Sequence, residues 1–142
     1  MPGDCWALRV LFSGRSKLLT QTILFTSADG SAQFREQQIP LDQGSESVRL
    51  STLLAASGIQ WRRSPVGFRS AVHVTSEPQW VVVLSGMMEI GLLDGTVRRF
   101  CAGEYFYAND TLPDGAHFDP QVHGHWSRQG GDEPLNTLFE RA

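Results

Sequence analysis

Ser85-Gly86 and Asp94-Gly95 cut the middle of the chain into three short apolar-rich segments, Trp80-Leu84, Met87-Leu93 and Thr96-Phe100. Each dipeptide supplies the φ > 0 positions that a tight hairpin turn requires, so residues 79–101 are expected to form a three-stranded antiparallel meander. Cys101-Ala102-Gly103 adds a further turn before Glu104-Tyr105-Phe106-Tyr107. The same punctuation runs along the rest of the chain, with turn residues interrupting β-branched and aromatic runs about every 8–12 positions, as in a sandwich or barrel. Strands are expected near Leu19-Thr26, Gln33-Leu41, Ile59-Arg63, Phe68-Thr75, Gln79-Leu84, Met87-Leu93, Val97-Cys101, Glu104-Ala108, Val122-Arg128 and Leu135-Glu140. Helical character is confined to Ser51-Ser57, a short helix stopped by Gly58. Asn109 to Pro120 holds Pro113, Gly115 and Pro120 and reads as a loop. With 142 residues, 14 glycines, 7 prolines and only 19% charged residues, the chain suits one turn-rich β domain with a substantial core.

Charge and motifs remove several function classes. A net charge of −3 and a pI near 5.7 leave no basic face for phosphates, so nucleic acid is not an expected partner. Lys17 is the only lysine, which argues against Schiff-base chemistry in a buried pocket. No G-x-x-x-x-G-K-[ST], G-x-G-x-x-G or G-x-S-x-G occurs. The longest apolar run, Trp80 to Leu84, is too short to cross a bilayer. Arg9 interrupts the only stretch that could serve as a signal-peptide core, so a cytoplasmic location is expected. Cys5 and Cys101 lack C-x-x-C spacing and are expected to be idle thiols rather than a disulfide framework or a zinc site.

At the meander the sequence resembles the cupins, small antiparallel β-barrels of jelly-roll type. Their first motif, G-x5-H-x-H-x3,4-E-x6-G, ends here at Gly86, which places His73 and Thr75 at the two histidines and Gln79 at the glutamate, with Gly67 near the opening glycine. Their second motif, G-x5-P-x-G-x2-H-x3-N, starts at Gly95 and places Cys101 at the proline, Gly103 at the glycine, Phe106 at the histidine and Asp110 at the asparagine. A subgroup of small cupins is similar over Gly58-Arg63, His73, Gln79-Val81, Leu84-Gly86, Val97-Phe100, Asp110-Thr111, Gly124-Arg128 and Gly131-Pro134. The resemblance implies an all-β, cupin-type antiparallel barrel or jelly roll with at most one short helix. A barrel domain would span 19–142, behind an N-terminal extension over 1–18 that could add a strand. Of the four metal ligands of the family, only His73 is retained.

Strand period brings His73 to the same face as Ala71 and Thr75, and after the turn at 76–78 as Gln79, Val81 and Val83. On 122–128 the same period groups His123, His125 and Ser127, and the implied topology sets His125 opposite His73. Two chemistries fit. His73 and His125 can act as general acid and base without a cofactor, on a small, largely apolar substrate inside the barrel bound by Thr75, Gln79, Phe106, Met88 and Arg63. Dehydration, isomerisation or cyclisation would be such reactions. Alternatively His73, Gln79 and His125 hold a divalent metal (Fe, Zn, Ni or Mn) for a dioxygenase or isomerase. A non-catalytic ligand-binding or sensing module is a third reading. His117, Asp119, His123 and His125 mimic a metal-binding tract, although Pro120 limits how far they can converge.

In the pairs Arg62-Arg63 and Arg98-Arg99 one member of each points inward, where Arg62 or Arg63 could clamp a carboxylate or enolate. Trp61, Trp80 and Trp126 suit a core or an interface. A homodimer is expected, with Trp6-Phe12 and Leu19-Phe25 as candidate edge segments.

Overall fold

A computed structural model describes residues 18–142. The expected extension, with Cys5 and the Trp6-Phe12 segment, lies outside the described residues apart from Leu18. Among those residues the regular structure is entirely β: β1 (Leu18–Thr26), β2 (Ala32–Pro40), β3 (Gln43–Gly44), β4 (Arg49–Leu50), β5 (Gly58–Ser64), β6 (Gln79–Ser85), β7 (Met87–Leu92), β8 (Val97–Cys101), β9 (Tyr105–Asn109), β10 (His125–Gly130) and β11 (Leu135–Arg141). The all-β expectation therefore holds. Gly86 and Gly95 take φ of 80° and 91°, as the hairpin reading of the meander requires.

A six-stranded sheet, β2-β1-β9-β6-β11-β5, faces a three-stranded sheet, β10-β7-β8, and β3-β4 form a separate small ribbon. From β6 onward the chain alternates between the two main sheets: large at β6, small at β7 and β8, large at β9, small at β10, large at β11. This is a jelly-roll winding, in which two sheets wrap one core. Period 2 sets the inner faces. Val81 and Val83 of β6, Phe106 and Ala108 of β9, and Leu135 and Thr137 of β11 meet Met88, Ile90 and Leu92 of β7 and Phe100 of β8, all buried. Full burial of such a side chain stabilises the fold by about 1.5–3 kcal/mol.

Several expectations are corrected. Ser51-Ser57 is an extended link rather than a helix, because Leu53 and Leu54 are 95% and 64% exposed and have no apolar surface to cover. Its end is tied by Ser57 N–H to the Arg141 carbonyl at 2.9 Å. Residues 68–75 are not a strand but run beside β10 through two isolated bridges, Arg69 with Arg128 and His73 with His125. The last strand before Gly131 begins only at His125, so residues 122–124 precede it. Of the candidate edge segment Leu19-Phe25, residues 22–25 are paired on both sides, by β2 and by β9. Cys101, expected as an idle thiol, is buried and disulfide-bonded, a pairing that linear spacing alone could not reveal.

Candidate functional site

The site forms where β6, β9 and β10 have their ends together. Thr75 lies just before β6, Asp110 just after β9, and His125 opens β10. The Thr75 N–H donates to the Asp110 carbonyl at 3.3 Å, and His73 and His125 exchange a pair of backbone hydrogen bonds, each 2.9 Å. Gly124 makes the last approach possible. It takes φ +86°, and a Cβ there would stand 2.3 Å from the His73 carbonyl oxygen, so no larger residue fits without moving the bridge.

Two imidazoles then stack, with ring centroids 4.5 Å apart at 57°. His125 is buried and its Nδ1 donates to Oδ2 of the fully buried Asp110 at 2.5 Å. The other carboxylate oxygen accepts from the Thr75 hydroxyl at 2.6 Å. His73 Nδ1 faces the Ala71 carbonyl oxygen at 2.9 Å. Carbonyl and carboxylate oxygens only accept, so both rings carry their proton on Nδ1 and present the Nε2 lone pair when neutral. No fully buried side-chain nitrogen or oxygen among the described residues lacks a hydrogen bond, and no described group pairs with His125 Nε2, so that atom is reached from outside. Partial burial lowers the His73 pKa from the ordinary 6.5. The Ala71 carbonyl and the Asp110 charge oppose that shift, while His125 and Arg62 reinforce it.

Asp110 is the residue that sequence reasoning left without a role, although the resemblance had placed it at the asparagine position of the second motif. An acid directly beyond the expected strand Glu104-Ala108, at that motif position, was the available signal.

Other expected residues fall elsewhere. Phe106 is 1% exposed and packs on Phe100 with centroids 4.5 Å apart, so it belongs to the core rather than to a ligand wall. Thr75 is buried against Asp110. Gln79 starts β6, in register with Ala108 and Arg141. His123 sits before β10, where its Nδ1 accepts from the Asp119 N–H at 3.0 Å and closes a turn. His117 is an exposed loop residue. Of the expected metal set His73, Gln79 and His125, the two histidines are brought together with Nε2 unpaired on both rings. Among the described residues no three His, Cys, Asp or Glu side chains are grouped to hold an ion.

A cavity of about 10 Å³, room for one water, lies between Ser64, Met88, Ser127, Leu135 and Thr137, beneath Arg62, Phe68 and Phe139. Beyond Phe139, a groove of about 320 Å³ opens along Ser57, Gly58, Ile59, Gln60, Glu77 and Arg141. This groove opens beside β5 and β11, and His73 and His125 line neither it nor the cavity. Both adjacent arginine pairs obey the period of two. Arg62, in register with buried Thr137, faces the water-sized cavity, whereas Arg63 points outward and its Nε donates to Asn136 Oδ1 at 2.8 Å. Arg98 turns inward at the opposite side of the barrel, bonded to Glu36 at 2.7 Å, and Arg99 turns outward to Glu89 at 2.9 Å.

No family model and no curated protein matches the sequence. Similar solved structures include the cupin domain of Schizosaccharomyces pombe Cnp3, at 12% identity and a TM-score of 0.43 over 89% of this chain and 84% of that one. An uncharacterized conserved protein with a double-stranded β-helix domain from Klebsiella pneumoniae is 17% identical, with a TM-score of 0.43 over 98% of this chain and 88% of that one. At these scores the comparison bears on neither substrate nor mechanism.

Proposed function

We propose that this cupin-type barrel binds a small organic molecule at its mouth and acts on it by cofactor-free acid/base chemistry through His73 and His125. The observation that carries the reading is the buried Asp110–His125 contact at 2.5 Å, stacked on a second histidine whose pKa is lowered. The environments divide the roles. His73 is neutral at pH 7 and presents the Nε2 lone pair, which suits a base. His125 is backed by a carboxylate that balances positive charge on the ring, which suits the acid that returns a proton. Asp110 positions His125 and fixes its tautomer, and Thr75 fixes Asp110. Abstraction of a proton next to a carbonyl, followed by its return at another atom or loss of a β-substituent, is the reaction class within reach of this set: isomerisation, dehydration or cyclisation.

The test is turnover of a panel of small carbonyl compounds by the full chain and by His73→Asn and His125→Asn, with circular dichroism to confirm folding. Loss of turnover in both folded variants is expected. Unchanged turnover in both would remove the acid/base reading, and binding without turnover in the unaltered chain would favour the sensing module.

We also propose that the chain pairs with a second copy through the outer face of the large sheet. There the register sets Trp61, Leu138, Val82 and Tyr105 in one row across β5, β11, β6 and β9, and Trp61 is 69% exposed. Trp61→Glu is expected to shift the mass measured by light scattering from two chains to one. A single chain before substitution would contradict the pairing.

A further inference from the structure

We infer that Arg62 anchors a carboxylate, so that the ligand of the mouth is a small organic acid with an apolar body. The inference rests on the mouth being the ligand site, and it adds the chemical class of the ligand.

Three observations meet at this residue. Arg62 faces inward from edge strand β5, with its guanidinium 4.9 Å from the centroid of Phe68 and 6.0 Å from that of Phe139. Phe139 lines both the water-sized cavity and the 320 Å³ groove, and Arg62 lines the cavity on the inner side of that ring. Stacking on aromatic faces leaves the edge of the guanidinium, with its fork of N–H donors, unused. Among the described residues no carboxylate meets it.

The comparison within the molecule sharpens the point. The other inward arginine, Arg98, is neutralised by Glu36 at 2.7 Å and also donates to Thr22 Oγ1 at 3.3 Å. Arg141, at the outer end of the same mouth, is opposed by Glu77 at 3.4 Å. Outside the barrel Arg99 and Arg128 share the buried Glu89. Arg62 alone of these lacks an anion and also lines the cavity. A planar carboxylate passing Phe139 from the groove would meet that fork, with its apolar remainder against the Phe139 ring. The hydroxyls of Ser64, Ser127 and Thr137 line the cavity below. The Arg62 charge already acts on His73, whose pKa it helps to lower, so an acid held here lies within electrostatic reach of the histidine pair.

The experiment titrates the full chain with phenylacetate and, separately, with its neutral counterpart phenylacetamide, followed by NMR shifts. The unaltered chain is expected to bind the acid at least roughly tenfold more tightly than the amide. Arg62→Met should bring the two affinities within about twofold by weakening the acid alone, and Arg62→Lys should keep part of the preference, since a point charge replaces a fork. His73→Asn should keep the whole preference, so that failure of acid recognition and failure of the acid/base reading are told apart. No binding of phenylacetate up to about 10 mM, equal affinity for the two probes, or a preference that survives Arg62→Met and falls in Arg141→Met would each overturn the assignment.

Discussion

Oδ2 of Asp110 lies 2.5 Å from Nδ1 of His125, with the carboxylate fully buried and the imidazole nearly so. With the Thr75 hydroxyl on the other oxygen, the carboxylate is fixed on both sides. Asp110→Ala leaves two buried partners without an acceptor, at a cost of about 1–3 kcal/mol each. A urea midpoint lowered accordingly is expected, and a change below about 0.5 kcal/mol would mean that water replaces the carboxylate without loss. Asp110→Asn keeps the shape, so it should cost less stability while weakening hold on the Nδ1–H tautomer.

His73 gives the pH dependence. Its folded-state pKa is below that of the unfolded chain, so the unfolded state binds the proton more readily. Its contribution to stability is therefore fully present above the ordinary value of 6.5 and declines as pH falls below it. Thermal unfolding followed between about pH 7.5 and 5 should show a decline that is shallower in His73→Asn. By the same sign, the rate of a reaction that uses neutral His73 should rise with pH through a midpoint below 6.5.

Gly124 has a more local test. Substitution by alanine places a Cβ 2.3 Å from the His73 carbonyl on a backbone at φ +86°, which should cost at least about 1–3 kcal/mol. Gly115 also has positive φ, at +74°, but meets nothing within 4 Å, so Gly115→Ala isolates the backbone term. Equal losses by chemical denaturation would show that the close approach to His73 contributes nothing.

Glu89 is buried on the outer face of the small sheet, between Arg99 and Arg128. Those arginine side chains are 52% and 44% exposed, so removing the acid leaves cations that water can solvate. Removing both cations strands a carboxylate that is 4% exposed. Arg99→Met with Arg128→Met should therefore destabilise by about 3–5 kcal/mol, and Glu89→Gln by clearly less. The opposite order in a denaturation series would contradict this.

Much of the frame was legible because local chemistry specifies it: Ser85-Gly86 and Asp94-Gly95 turn where expected, and the strand period divides Arg62 from Arg63 and Arg98 from Arg99. The histidine pair was legible only through the topology that the resemblance implied, since His73 lies in no strand and meets His125 through an isolated bridge. Ser51-Ser57 misled because its helical pattern has no surface to pack on. His123 misled because strand β10 starts two residues later, and a turn claims its ring. Asp110 and the placement of the open space at the mouth depend on which strand ends meet in three dimensions, and no local pattern records that.

The most direct test of the acid/base site is carbon-bound deuterium uptake. Small organic acids with a hydrogen next to a carbonyl would be incubated with the chain in D2O containing EDTA, and exchange followed by NMR. Exchange above the protein-free rate is predicted for the unaltered chain, with losses of about 10²–10⁴-fold in His73→Asn. Exchange at the same rate in the unaltered chain, His73→Asn and His125→Asn, or no exchange of any acid that binds, would contradict it.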